Sequence, residues 1–414
     1  MCKRDLSLIL TTSLAIRFAA ALYWHGDVSG IDVGRYLNQA QSIAETHSFT
    51  YNGYTTAMNG PLFPFILSFF FAAGFHSFLA QLLFVLIGSG TAILTYLLTE
   101  RIQPRIALAA GLCMALAPMS VKYSVVLLTE TLFTFLVTAA LVLWSRGKWK
   151  LSGLAWGLSM LTRPTSLFFV LLLFLFGLKQ RRHLIMASIA FLTVLPWTVR
   201  NAVQFHSFIP VASQGGGILL LGTVNLNFRE PIWTQIDHTV LFLPEDLEGK
   251  PESVQDRILF WKAIDIIRAH PLEWLKARAK QYPLFFADTG QYLHHISKRG
   301  VEGVFLTGNA LFLLLSLIGL YILRDHFWRL AFLTLWPTYF ALIHLPMWVE
   351  ARYSLPIVPE MIILSTISVC SMLVPKNSNV NLDQSTGADY SSNNDRRGNF
   401  QRDYSRVSAR VWQR

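Results

Sequence analysis

Residues 151–178, LSGLAWGLSMLTRPTSLFFVLLLFLFGL, decide the topology of the whole chain. As one helix the segment would cross a bilayer once and hold Arg163 near the centre, which costs about 2.5–3.5 kcal/mol on insertion scales. As two short helices meeting at Thr162-Arg163-Pro164 it crosses twice, although each crossing normally needs about 20 residues. Pro164 favours two helices, because its ring disfavours helical geometry in the residue before it. The flanking charges agree: Arg146, Lys148 and Lys150 precede the segment, and Lys179, Arg181 and Arg182 follow it. Only an even number of crossings leaves both basic clusters on one face.

Outward from this hairpin, apolar runs predict spans near 6–24, 77–99, 106–122, 125–144, 149–162, 164–178, 184–199, 304–323, 330–345 and 355–374. The expectation is an all-α polytopic membrane protein of about ten transmembrane helices. Lys3 and Arg4, Arg101 and Arg105, and Arg324 and Arg329 then share a face with the two clusters above, so both termini are expected in the cytoplasm. Composition agrees, with 53% hydrophobic and 14% charged residues, against about 25% charged in ordinary soluble domains. The net charge of +11 is no nucleic-acid footprint, because most of its cations sit in short loops between apolar runs. Cys113 and Cys370 lie inside apolar runs and Cys2 at the N-terminus, so the three cysteines offer neither a disulfide framework nor metal spacing.

The expected domain is 1–374, followed by a disordered cytoplasmic tail, 375–414, rich in Asn, Ser, Asp and Arg. The first run has features of a cleavable signal peptide, with Lys3 and Arg4 before it and Ala19 to Ala21 within it. Arg17 interrupts it and its length suffices to span, so a retained helix is expected. A first outer loop, 25–76, ends in PLFPFILSFFFAAGF, an interfacial or re-entrant helix. The long outer loop, 200–303, is expected to contain a Gly-rich turn at Gly215-Gly216-Gly217 and an amphipathic helix from Ser253 to Ala269. A basic helix then opens at Pro271, with Lys276, Arg278 and Lys280 facing headgroups. No internal repeat of the transporter kind is visible.

With this topology Asp32, Arg35, Glu45, Lys122, Glu130, Arg163, Arg200, Glu350 and Arg352 come to one side, whereas a transporter tends to place such groups near the midplane. Arg17, inside the first span, is expected to face the bundle and pair with an acid or a phosphate. Trp24, Tyr51, Tyr54, Tyr123, Trp197 and Trp348 lie near span ends, where an interfacial aromatic belt accounts for most of them and one or two are left to stack on sugar.

In their order and spacing, IDVGRYLNQAQSIAETHSF, GPLFPFIL, YSVVLLTETLFTFL, GLSMLTRPTSL, PWTVRNAVQFHSFIPVASQGGG and ARYSLPIVP resemble the membrane-embedded glycosyltransferases of the C fold class. The resemblance is to the family 39-like branch, which holds protein O-mannosyltransferases and aminoarabinose transferases, and it covers roughly residues 15–360. It implies transfer of a monosaccharide from a polyprenyl-phosphate donor to a lipid, glycan or protein acceptor on the outer face, in the plasma membrane. It assigns catalysis to Asp32, in the first outer loop, and gives Glu130 a second acidic position. Each has a structural alternative, Asp32 as the N-cap of its helix and Glu130 as a dipole partner at a helix capped by Thr129.

Tyr36 lies one turn from Asp32 on the same helical face. Arg352, before Tyr353, presents a planar fork suited to phosphate; Lys122, Arg163 and Arg200 are alternatives that could equally snorkel to headgroups. Some relatives with paired acids bind a divalent metal, but no acidic pair at close spacing is present here, which speaks against metal dependence. A lipid phosphate is already a good leaving group, so one base suffices, whereas glycoside hydrolysis uses two carboxylates. A lipid-linked-sugar flippase or other transporter, or a membrane scaffold, are the rival expectations.

Overall fold

The computed structural model describes residues 2–24, 30–177, 180–224, 247, 249–286, 298–324 and 330–373. The tail 375–414 and the positions of Lys179 and Arg329 lie outside the described residues. The chain opens with α1 (Lys3–Tyr23), the helix α2 (Ile31–Thr46), a two-stranded hairpin of β1 (Thr50–Tyr51) and β2 (Tyr54–Thr55), and α3 (Leu62–Ala72). Asn52 and Gly53, both at positive φ, make the hairpin turn, as Asn-Gly pairs commonly do.

Then come α4 (Ser77–Ile102), α5 (Ala107–Leu116), α6 (Pro118–Tyr123), α7 (Thr129–Ser145), α8 (Trp149–Thr162), α9 (Thr165–Gly177) and α10 (Arg181–Phe205). The long connection holds α11 (Gly215–Val224), α12 (Glu252–Ala269) and α13 (Pro271–Gln281). The last helices are α14 (Lys298–Ile322), α15 (Ala331–His344) and α16 (Val358–Leu373), the last preceded by a 3-10 segment, Ala351–Ile357. Four helical stretches, Lys3–Tyr23, Ser77–Ile102, Arg181–Phe205 and Ala351–Leu373, are long and apolar enough to cross a membrane alone, and shorter apolar helices fill out the bundle. This is an all-α polytopic membrane fold.

Segment 151–178 does break into two helices. Arg163 is extended (φ −143°, ψ 125°) between α8 and α9, the geometry that Pro164 imposes on it. Within α8, Gly153 and Gly157 face α10: a Cβ on Gly157 would lie 2.5 Å from Thr193 Cβ, and one on Gly153 would collide with the Met186 carbonyl. Small residues at this spacing let helix backbones approach closely in a membrane.

The surroundings of Arg17 and of the glycine run differ from expectation. Arg17 is fully buried and, among the described residues, pairs with no acid. It donates to the carbonyls of Met114 and Ala115 and to the hydroxyls of Ser13 and Ser120. Those carbonyls end α5, where the break at Ala117-Pro118 leaves them without intrahelical donors. Gly215 to Gly217 form no turn but the first residues of α11. Asp256 Oδ1 accepts the N–H groups of Gly216 and Gly217 at 2.7 and 3.3 Å, and a Cβ on Gly216 would strike the α12 backbone at Asp256. Trp197 and Trp348 are buried within the protein, with Trp197 Nε1 donating to Val211 O at 2.9 Å.

The core beneath the first connection packs Val33 and Ala40 of α2 against Phe63 and Leu67 of α3, Phe84 of α4, and Leu128 and Leu132 near the start of α7. Gly60 presses on the end of α8, where a Cβ would sit 2.5 Å from Leu161 O and 2.7 Å from Thr162 O. The Glu252 carboxylate pins the other edge, accepting from Thr56 Oγ1 (2.6 Å), Ala57 N (2.7 Å) and Ser213 Oγ (3.0 Å). The start of α2, the start of α7, the α8–α9 break and the 3-10 segment before α16 are thereby brought together.

Candidate active site

Asp32 lies in the first turn of α2, Glu130 in the first turn of α7, Arg163 at the α8–α9 break, and Arg352 in the 3-10 segment. Neither acid serves a cap. Gly30 occupies the N-cap of α2 and Leu128 that of α7, with no side-chain cap bond at either. Thr129 stands inside α7 rather than before it. The cap alternatives for Asp32 and for Thr129 therefore fall, while both carboxylates keep the favourable end of a helix dipole.

Arg352 is the hub. Its Nη2 lies 2.7 Å from Asp32 Oδ2, and its Nε lies 2.7 Å from Glu350 Oε2 and 3.7 Å from Glu130 Oε1. Arg163 Nη1 is 3.2 Å from the same Glu130 oxygen, and Arg35 Nη2 is 3.8 Å from Asp32 Oδ1. Three carboxylates thus meet three guanidinium groups. Their exposures differ: the Glu130 side chain is 3% exposed and that of Arg352 12%, but that of Asp32 is 38% exposed. The base candidate is the member open to an incoming group.

The electrostatics of Asp32 follow from this. Burial raises its pKa, but the charge and hydrogen bond of Arg352, with help from Arg35 and Arg163, outweigh that and hold it below the usual carboxylate value. Asp32 is therefore ionised at neutral pH, as a proton acceptor must be.

Two tyrosines complete the arrangement. The Tyr353 ring has the guanidinium carbons of Arg163 and Arg352 each 5.3 Å from its centroid, which holds both cations in place by cation–π attraction. Tyr36 packs edge-on against Phe63, and its hydroxyl reaches Thr129 within the fields of Arg163, Glu130 and Asp32; burial pushes its pKa up, so it stays a neutral phenol. One turn deeper in α7, Phe133 underlies Arg163 and joins the buried aromatics Trp336 and Phe340. That wall keeps water away from one side of the charges.

The remaining sequence candidates lie elsewhere. Arg200 donates to Thr56 O, Phe49 O and Asn201 Oδ1 and covers Trp197, so it secures the first connection to α10. Lys122 lies over Trp24, 4.4 Å from the ring centroid. Glu45 is paired with Gln41 on the exposed side of α2. Sequence reasoning counted Glu350 and Arg35 among the charges of this side but gave them no role; Glu350, two residues before Arg352, carried that signal. Among the described residues no group of three His, Cys, Asp or Glu side chains is disposed to hold a metal ion; Asp32, Glu130 and Glu350 converge on guanidinium groups instead.

Residues 58–199 match the family model described as dolichyl-phosphate-mannose-protein mannosyltransferase. Among solved structures, the chain is similar to the oligosaccharyltransferase of Archaeoglobus fulgidus in its apo form, with TM-score 0.54 and 14% identity over 89% of this chain and 50% of that one. A second structure, the archaeal oligosaccharyltransferase AglB from Archaeoglobus fulgidus in complex with an inhibitory peptide and a dolichol-phosphate, gives TM-score 0.52 and 12% identity over the same shares, 89% and 50%. The chain thus spans about half the length of these proteins. ArnT from Cupriavidus metallidurans bound to undecaprenyl phosphate aligns with TM-score 0.42 and 14% identity over 89% of this chain and 78% of that one. No curated protein matches the chain.

Proposed function

We propose that this protein transfers a monosaccharide from a polyprenyl-phosphate donor to an acceptor hydroxyl at the non-cytoplasmic face of the membrane, with inversion, and that Asp32 is the general base. The observation that carries the proposal is the 2.7 Å contact between Asp32 and Arg352, which joins an ionised, accessible carboxylate to a cation fit for phosphate. The match of residues 58–199 to a dolichyl-phosphate-mannose-dependent family supports the donor class, as does the dolichol-phosphate bound by the similar oligosaccharyltransferase.

In an inverting displacement the acceptor oxygen and the departing phosphate lie on opposite sides of the anomeric carbon, so the Asp32–Arg352 pair opens as the sugar enters. The donor phosphate supplies the charge that draws Arg352 away. Carboxylates and guanidinium groups are balanced without donor, so the phosphate competes for cations already in place rather than meeting an unpaired one. Released from Arg352, Asp32 becomes a stronger base when the acceptor hydroxyl must be deprotonated. The C–O bond to the phosphate breaks while the acceptor oxygen bonds to the anomeric carbon; the proton passes to Asp32 and the charge on the leaving phosphate rests on Arg352, with Arg163 beside it. Glu130 and Glu350 hold the two guanidinium groups in register between turnovers.

The test is transfer itself. Purified chain, a panel of labelled polyprenyl-phosphate sugars and a membrane extract as acceptor source should give labelled product with one sugar of the panel. Movement of labelled lipid across sealed vesicles with no label passing to an acceptor would replace transfer by flipping.

A further inference from the structure

On α13, Arg278 was expected to face headgroups, yet it is 2% exposed. Its Nη1 donates to Met347 O at 2.8 Å, while Nε and Nη2 are buried with no hydrogen-bond partner. Arg17, equally buried, meets four oxygen acceptors through Nη1 and Nη2 and leaves only Nε unpartnered. Among the described residues no carboxylate is paired with Arg278, and desolvation by burial pulls its pKa down to about 10. A cation buried without a counter-charge is costly, and such a site normally pairs it or coordinates something to it.

The idle atoms are the informative ones. Nε and Nη2 form one edge of the guanidinium fork, with two parallel N–H groups, the edge that grips an oxyanion with two bonds. Gln281, 1% exposed, has both amide atoms unpartnered, and so is the buried indole Nε1 of Trp274. Positions 274, 278 and 281 are spaced four and three residues apart and share one face of the helix. Three buried side chains with unpartnered polar atoms on one helix face make an arrangement that a bound oxyanion would satisfy. Their N–H donors suit the several oxygens of a phosphate better than the two coplanar oxygens of a carboxylate, and Gln281 Oε1 is left to accept from a hydroxyl beside it.

We propose that Trp274, Arg278 and Gln281 form a phosphate-binding site separate from the Asp32–Arg352 cluster. The proposal is independent of sugar transfer. The site is nonetheless mechanically joined to the cluster: Met347, held by Arg278, precedes Arg352 by five residues, within about 17 Å along the chain. Behind it, α11 packs so closely on this segment that a Cβ on Gly222 would lie 2.7 Å from Trp348 N. Phosphate on Arg278 therefore fixes the segment that presents Glu350 and Arg352.

The experiment is thermal unfolding of the full chain in neutral detergent at constant ionic strength, titrated with inorganic phosphate, with farnesyl phosphate and with farnesol as the uncharged control. Phosphate binding raises the unfolding midpoint by mass action. Arg278→Lys keeps the charge and a donor for Met347 but loses the fork, and should weaken the response about tenfold or more, the worth of one charge-assisted hydrogen bond. Trp274→Phe and Gln281→Leu leave the Met347 contact intact and should each weaken it as well. The Arg278-dependent response should persist in Arg352→Lys, whether or not that variant transfers sugar. A response to farnesyl phosphate alone assigns a lipid phosphate, a response to inorganic phosphate alone a soluble one, and a response to both a phosphate however carried. Identical titrations for the original chain, Arg278→Lys, Trp274→Phe and Gln281→Leu, or no response beyond that to chloride, would overturn the proposal.

Discussion

At the residue scale the account turns on which partner each buried charge has. Arg352→Lys keeps a positive charge but cannot hold Asp32 and Glu350 at once through a planar fork, so transfer should fall sharply while the protein still folds. The pH dependence is more specific. Asp32 has a depressed pKa, so the acid limb of kcat/KM lies below the ordinary carboxylate value, and activity is lost only as pH falls through the depressed pKa. In Arg352→Gln the depressing charge is gone, and the limb of the residual activity should move to higher pH; an unmoved limb would detach Asp32 from Arg352 in the free enzyme. Glu130→Gln leaves Arg163 and Arg352 short of a carboxylate, and losing one partner of a buried pair costs about 3–5 kcal/mol. Glu130→Gln with Arg163→Gln should be less unstable than the sum of the single changes when unfolding midpoints are compared. Strict additivity would show that the two do not interact.

At the element scale the contacts that matter are those that set helix ends. Arg17→Ala would leave the last carbonyls of α5 and the hydroxyls of Ser13 and Ser120 without a donor, each buried acceptor costing about 1–3 kcal/mol. A clear drop in the unfolding midpoint is expected, and an unchanged midpoint would mean water replaces the guanidinium freely. Gly157→Val should loosen α8 from α10 at a cost of about 1–3 kcal/mol, the usual price of overpacking, measurable in the same way. Much of this level was legible in the sequence, because lipid demands long apolar runs. The α8–α9 break could be read from Arg163-Pro164 because sterics and burial cost point the same way. The burial of Arg17 and Arg278 could not be read because each donates to backbone carbonyl oxygen, and a carbonyl is the same for every residue type. The helix at Gly215 was equally hidden, since the donors of its first turn are satisfied by Asp256, about 40 residues away in sequence.

At the scale of the whole molecule, Asp32, Glu130, Arg163 and Arg352 meet because the chain returns to one end of the bundle at α2, α7, the α8–α9 break and the segment before α16. Their common side could be anticipated from the alternation of spans; the pairing of Asp32 with Arg352 could not, because it depends on how α2 folds back over the bundle. Single-cysteine labelling in sealed, correctly oriented cells should leave a cysteine at Lys148 protected from an impermeant reagent, and labelling there would contradict the orientation expected from the basic loops. The most direct test of the central claim is the rate of sugar transfer by Asp32→Asn, with donor and acceptor both saturating and donor binding measured alongside. The amide keeps the shape and can still accept a hydrogen bond from Arg352, but it cannot take the proton. The account predicts a folded, inserted protein that binds donor and transfers about 10²–10⁴ times more slowly, the usual worth of general acid–base catalysis. Transfer at the full rate would contradict it and leave Glu130 as the next candidate base.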